Sequence, residues 1–319
     1  MLSRVASSLY WMSRYLERVE HSARVIDVDL VLMLDQAPAH ADLRWNRLLR
    51  SLAVSLPEST VGEPAKIVQT LLFDRDTPQS IIAILAQARS NAREVRNQLS
   101  SEMWEQLNQL YLEVSGATID DVWGGQTHDF FRRIKEGAQL FYGITEATMR
   151  QDEGWHFVEV GRFLERAEAT ITLLNAYFGE RDPADPESFV SAYLDQVSLL
   201  KSRTAFEAYC QVYTADLQPE RIAGFLLLSA KFPHSVRFAA DRIQGTLQSI
   251  AELTNSRKNG PIDRLAGKMR ATLDYAQIDE IMAGDLLLFL QDVQRQLRQL
   301  HTLLHETYFQ PPIQAMLAS

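Results

Sequence analysis

Arg14-Tyr15-Leu16-Glu17-Arg18-Val19-Glu20 returns 148 residues later as Arg162-Phe163-Leu164-Glu165-Arg166-Ala167-Glu168, with five of the seven residues identical. The apolar residues around the first copy, Leu9, Met12, Leu16, Val19, Ala23, Ile26 and Leu30, recur at alternating spacings of three and four, the period of one helix face. Shifted by the same offset they become Phe157, Val160, Leu164, Ala167, Ile171, Leu174 and Phe178. Two copies of one amphipathic helix are therefore expected. We expect them to be related by a pseudo-two-fold axis within a duplicated scaffold, with halves near 1–152 and 153–319 of a single domain.

Working outward, helical periodicity dominates the chain, while proline and glycine fall between the periodic segments. The spacing predicts helices over 3–36, 42–56, 64–73, 77–99, 101–114, 127–150 and 153–178. Another opens at Asp185-Pro186, and further helices follow over 219–230, 233–254, 262–275 and 279–308. Thr77 before Pro78 reads as a helix start. Gly124-Gly125, 151–154 and Asn259-Gly260-Pro261 read as breaks. Strand-type alternation of useful length is absent. The expected fold is all-α, a bundle of long antiparallel helices, about a dozen in number, with the motif-bearing helix duplicated.

Composition agrees with a folded protein. Of 319 residues, 46% are hydrophobic and 23% charged, with 14 Gly and 11 Pro. A net charge of −9 opposes the phosphate backbone, which argues against nucleic acid as a partner. The lone Cys210 has no internal disulfide partner and fits a reducing cytoplasm. Residues 1–11 lack the apolar core of a signal peptide, and the longest apolar runs, 30–34 and 286–290, fall short of a membrane span.

On the first motif helix, Arg14, Glu17, Arg18 and His21 lie opposite the apolar stripe. Tyr10, Val25 and Val28 share their side in the first copy, as do Val158, Leu173 and Ala176 in the second. A polar island between apolar residues implies a helix buried on both sides, where charges need partners. Two uses follow. The charges can interlock as ion pairs that fix helix register. Alternatively, Arg14, Arg18, Arg162 and Arg166 can hold a carboxylate or phosphate bidentately, with Glu17 or Glu165 orienting them or acting as a base.

The residues that carry these islands resemble the bacterial alpha-E family. The match runs through Met1-Leu2-Ser3-Arg4-Val5-Ala6, Leu9-Tyr10-Trp11, Arg14 to Arg18 and Gly161 to Arg166. It continues in Ala92-Arg93-Glu94-Val95-Arg96 before Trp104, Thr148-Met149-Arg150, Asp152-Glu153-Gly154-Trp155, and Pro233 with Ser235. The resemblance implies an all-helical protein encoded beside circularly permuted ATP-grasp and transglutaminase-like proteins, in systems that make or modify peptides through amide bonds. Its candidate site comprises the six Arg and Glu residues of the two motifs, with Arg150, Asp152 and Glu153 as further ligand-binding candidates. The family usually has an Arg between Pro233 and Ser235, where this chain has His234.

Weaker patterns were weighed beside it. Glu17 with His21, Glu153 with His156, and His301 with His305 have spacings found in metal-binding bundles, but the duplicate of His21 is Ala169, which breaks the ligand symmetry. Arg89, Arg93 and Arg96 form a basic stripe, read as a solvated face. Tyr193, Phe206, Tyr209 and Tyr213 read as core or interface. No nucleotide loop or zinc-protease motif is present. The leading expectation is thus a cytoplasmic accessory or binding protein acting with an ATP-grasp partner, needing no cofactor or metal of its own. The alternatives are an enzyme of amide chemistry using Glu17 or Glu165, and a metal-binding bundle.

Overall fold

The computed structural model describes residues 1–34, 41–56, 63–123, 127–179, 189–254 and 260–310. Among these residues it contains α-helices, one short 3₁₀ turn and one π turn, and no strand. In chain order the helices are α1 (Ser3–Leu34), α2 (Ala41–Ser51), α3 (Pro64–Phe73), α4 (Ile81–Glu94), α5 (Ser101–Gly116), α6 (Ile119–Trp123), α7 (Thr127–Thr148) and α8 (Glu153–Phe178). They continue with α9 (Phe189–Lys201), α10 (Phe206–Tyr213), α11 (Pro219–Leu228), α12 (Val236–Leu253), α13 (Pro261–Tyr275), α14 (Ile278–Ala283) and α15 (Leu286–Leu304).

The two motif helices, α1 and α8, sit at the centre because neither has a polar face wide enough to be left in water. On α8, eighteen residues are buried, including Val158, Leu173 and Ala176 on the motif side. Tyr10 and Val25 on α1 are likewise fully enclosed. Contacts between the two helices advance together along both chains, from Leu9 beside Gly154, through Tyr10 beside Gly161, to Arg14 beside Glu165. The helices therefore run in parallel register. Their long neighbours run the other way: Ser13 and Asp27 of α1 meet Tyr142 and Lys135 of α7, and Glu159 and Thr170 of α8 meet Arg242 and the His234 carbonyl at α12.

The helix pairings repeat. α1 packs on α2, α4 and α7, and α8 packs on α9, α12 and α15. The second tier repeats as well: α3 with α4 and α6, α4 with α5, and α5 with α7 are matched by α11 with α12 and α14, α12 with α13, and α13 with α15. Local chemistry follows the same correspondence. Ser80 caps α4 by accepting from Ala83 N–H, and its hydroxyl donates to the Asp74 carbonyl. Ser235 caps α12 by accepting from Phe238 N–H and donates to the Ser229 carbonyl. At the ends of α2 and α9, Val54 N–H bonds the Leu49 carbonyl and Ala205 N–H bonds the Leu200 carbonyl. Ala53 and Thr204 sit just before, in the left-handed region at φ 52° and 54°.

Several boundaries differ from the periodicity, for local reasons. The predicted 77–99 helix begins at Ile81, because Thr77 spends its hydroxyl on Asp74 and Ser80 takes the cap. It ends at Glu94, followed by a 3₁₀ turn over Arg96–Gln98. The predicted 233–254 helix begins at Val236 behind the Ser235 cap. The predicted 279–308 helix is broken after Ala283: Asp285 accepts from Leu287 N–H at 2.8 Å and Leu288 N–H at 3.1 Å and starts α15 afresh. Residues 52–56 leave α2, and α6 and α10 were not anticipated. The predicted end of the first helix at Gln36, the Gly124-Gly125 break, the start at Asp185-Pro186 and Asn259 lie outside the described residues.

Candidate functional site

Parallel packing places the two motif copies at the same height. Residues three and four apart share a helix face, so each motif presents its Arg, Glu and Arg as one patch. Each patch is completed by the other helix. Glu17 accepts from Arg166 through both carboxylate oxygens, with Nε at 2.6 Å and Nη2 at 2.9 Å. Arg162 Nε approaches the same carboxylate at 3.6 Å. In return, Glu165 accepts from Arg18 Nε at 2.5 Å and Nη2 at 3.0 Å, and from Arg14 Nε at 2.7 Å. Exchanging 14, 17 and 18 for 162, 165 and 166 maps one cluster onto the other. The two islands thus meet in space and satisfy each other.

The symmetry fails only at the edges. Arg14 also pairs with Glu168 and donates to the Tyr10 hydroxyl at 3.0 Å. Tyr10 in turn hydrogen-bonds His301 Nδ1 at 2.7 Å on α15. Glu20, the counterpart of Glu168, turns instead to Arg24 on its own helix. Arg162 lies 3.9 Å over the Tyr142 ring and reaches Glu159 at 3.7 Å, while Glu159 also binds Arg242 at 2.9 Å.

Burial alone would raise both central carboxyls, since desolvation penalises the charged form. For Glu17 the charges of Arg166, Arg162 and Arg203, with the Arg166 hydrogen bond, outweigh burial and hold it below the ordinary range. For Glu165 burial is outweighed by Arg14 and Arg18, which bring it down to about 2. A general base works best with a pKa near the operating pH, so a carboxylate held at about 2 is poorly suited to take a proton near neutrality. Its two oxygens are already occupied by charge-assisted bonds. The geometry is that of a helix lock: buried charges, each answered across the seam.

One glycine makes that seam tight. A Cβ on residue 161 would lie 2.5 Å from the Tyr10 carbonyl oxygen, so only glycine permits the backbone approach that brings guanidinium and carboxylate into register.

The remaining candidates fall elsewhere. Arg150 is exposed and pairs with Asp152 at 3.2 Å, and Asp152 caps α8 by accepting from Gly154 N–H at 3.1 Å. Glu153 holds the Met1 amino group at 2.8 Å. They sit at the start of α8, roughly 18 Å along the helix from Glu165 at 1.5 Å per residue, and are not brought to the motif. The suspected metal ligands are engaged separately: Glu17 with Arg166, His21 with Arg203, Glu153 with Met1 and His301 with Tyr10. Among the described residues no three His, Cys, Asp or Glu side chains gather as a metal site. Arg89 and Arg96 stack on Trp104 at 5.8 Å, and Arg89 also covers Tyr111 at 4.7 Å. A cleft of about 470 Å³ lies apart from the motif, lined by Glu113, Asp120, Asp121 and Arg133 of α5, α6 and α7.

Sequence reasoning did not find Tyr10, Tyr142, Glu159, Glu168 or Arg203 as parts of this assembly. Glu168 was visible as the seventh position of the repeat. Arg203 had no signal in its own neighbourhood.

The residues that interlock are also those by which the chain is classed. Residues 1–309 match the family model Alpha-E, described as a predicted alpha-helical domain with a conserved ER motif. The chain belongs to the Alpha-E family. In this Alpha-E protein the ER dipeptides are Glu17-Arg18 and Glu165-Arg166, and each Glu bonds the Arg of the other copy. An uncharacterized protein of Mycobacterium bovis is 23% identical over 317 aligned residues, covering 89% of this chain and 34% of the relative. Two uncharacterized proteins of Mycobacterium tuberculosis match over the same shares at 23% and 22% identity. The Alpha-E chain thus spans about a third of the length of the curated relatives it matches. No solved structure matches it. Among the described residues no helix is long and apolar enough to cross a membrane.

Proposed function

We propose that this Alpha-E protein is a cytoplasmic accessory or binding component of a bacterial system that forms or modifies peptides through amide bonds, acting with a circularly permuted ATP-grasp partner and a transglutaminase-like protein. One Alpha-E unit of two repeated halves, 1–152 and 153–319, would then serve as the scaffold, with ATP-dependent activation of the acyl group left to the partner. The observation that carries this reading is the closure of the motif. Glu17 and Glu165, the residues best placed to act as bases, are each held by guanidinium groups, with Glu165 at about 2. A motif used up in joining two helices leaves reactivity to another polypeptide.

In the mycobacterial relatives the matched part is joined to further chain that makes up about two thirds of the whole.

The test is to purify the chain with the circularly permuted ATP-grasp protein encoded in the same bacterium. The expected result is co-elution at micromolar concentration, or a change in ATP turnover by the partner when this chain is added. Separate elution together with unchanged turnover would overturn the proposal. The transglutaminase-like protein is tested in the same column experiment.

A further inference from the structure

Among the described residues Arg203 is the largest of the fully buried side chains, 1% exposed, and it makes no ion pair with any of them. It stands at the end of α9 and extends its guanidinium towards α1 and the turn before α12. Nη1 bonds His21 Nδ1 at 2.9 Å, and Nη2 bonds His234 Nδ1 at 2.8 Å, with the Arg166 carbonyl at 3.5 Å. An arginine has donors only, so both imidazoles must be neutral and accept through Nδ1, which leaves their protons on Nε2. Burial, followed by the nearby Arg charges, lowers the pKa of each histidine and keeps the rings neutral.

Burial outweighs the charges around Arg203 and brings its pKa down to about 10; Glu17 and Glu20 favour its charge without touching it, and Arg166 and Arg24 oppose it. Glu17 is held by Arg166 and Arg162, and Glu20 by Arg24. Among the described residues Arg203 Nε and Arg24 Nε are buried without hydrogen-bond partners. Both are donors, and they lie within one electrostatic neighbourhood, since Arg24 and Arg203 both act on His21 and on His234. A buried cation in contact with no carboxylate among the described residues, with two unanswered N–H groups, is costly unless something supplies acceptors.

The duplication supplies a control within the same molecule. By the repeat of helix ends and caps, Arg203 corresponds to Leu52, His21 to Ala169 and His234 to Gln79. The fold is therefore satisfied at the equivalent place without a cation or an imidazole. By contrast, Ser51 and Ser202 correspond to each other and both leave a buried hydroxyl unpartnered, as expected of an architectural feature. The Arg and two His occur on one side of the pseudo-two-fold only.

We propose that Arg203, His21 and His234, with Arg24 beside them, form a receptor for a small carboxylate-bearing anion, and that the half-buried His234 ring is the side chain that moves aside to admit it. A guanidinium bonded only to neutral acceptors invites an anion, and its planar Nε and Nη edge fits the two oxygens of a carboxylate. His234 is the member of the cluster nearest solvent, next to the exposed Pro233 and Thr204. In the unliganded protein its imidazole nitrogen fills the acceptor position on Arg203. The carboxylate would take that position and also accept from Arg203 Nε. This inference does not depend on the partnership proposed above.

Thermal unfolding of the full chain is the test, with sodium acetate titrated against sodium chloride at matched ionic strength and inorganic phosphate as a third arm. Acetate is expected to raise the midpoint saturably by about 2–4 °C over chloride. Arg203→Leu places at 203 the residue type found at 52; it is expected to fold and to lose the acetate response. His21→Ala, which matches residue 169, should retain the fold and raise the half-saturating acetate concentration at least about fivefold, the loss of one hydrogen bond to a charged group. The proposal is overturned by no acetate response above chloride, by a response to phosphate alone, by an undiminished response in Arg203→Leu, or by an unchanged half-saturation in His21→Ala.

Discussion

The carbonyl oxygen of Tyr10 lies 2.5 Å from the point where a side chain on residue 161 would begin. Backbone meets backbone there, and the Arg and Glu groups of α1 and α8 find each other because of it. Gly161→Ala should force the helices apart and cost about 1–3 kcal/mol, as overpacking does. Gly143 and Gly245, also inside helices, have open space around them. Substituting Ala at either should stabilise by about 0.5–1 kcal/mol, the ordinary helix preference. Denaturant midpoints for the three variants check both signs.

Glu165→Gln removes the negative charge shared by Arg14 and Arg18, turns one acceptor oxygen towards them into a donor, and leaves buried positive charge behind. A loss of about 3–5 kcal/mol is expected, the usual scale for breaking a buried ion pair from one side. Glu17→Gln should cost a similar amount through Arg166. If either variant kept wild-type stability and lost only an activity of the assembled system, the motif would be a site and not a lock.

The pH dependence follows from the same groups. Glu165 has a folded pKa of about 2 against an ordinary 4.5, so its contribution is complete above about 4.5 and is lost as pH falls through 2. Histidines add an earlier limb. His301, lowered to about 4 chiefly by burial and then by Arg14, binds its proton more readily in the unfolded chain. Its contribution is therefore present above 6.5 and is lost as pH falls towards 4. Asp29 works the other way: burial raises it to about 7, so it adds stability as pH falls through 7 and offsets the histidine loss, and the His301 limb is read as the difference between wild type and variant. His301→Gln should remove part of that early limb and leave the acid limb below 4.5 in place, read from urea midpoints across pH.

Ala53 and Thr204 hold the left-handed position that ends α2 and α9, a conformation most side chains resist. Ala53→Gly and Thr204→Gly should each stabilise by about 1 kcal/mol. Thermal midpoints of the single variants test this.

Much of the architecture was legible because it is written locally. The bounds of α8 followed from one apolar period that begins in the break at 151–154. The burial of both motif faces followed from Tyr10, Val158 and Leu173. Where the reading missed a boundary, a neighbouring polar side chain had taken over: Thr77 turned to Asp74, so Ser80 became the cap, and Asp285 restarted a helix that periodicity alone had run through. The repeat showed that two Arg/Glu islands exist, yet periodicity says nothing of distance in space, so their meeting needed coordinates. Arg203 lay beyond reach for the same reason. Its partners stand 182 and 31 residues away in sequence, and nothing in Lys201-Ser202-Arg203-Thr204 marks it as buried.

Glu17 and Arg166 are 149 residues apart, and each is what the other requires. Neither can change freely in evolution, because a substitution on α1 leaves a stranded charge on α8 until an answering substitution arises half the chain away. The lock thus couples the two halves at the seam, while Arg203 and Leu52, outside it, differ from one half to the other. A pair of genes encoding the halves separately would have to remain matched in the same way, as hand and glove from one pattern, and a half taken from a distant relative would fit only if its arginines and glutamates kept this reciprocal spacing.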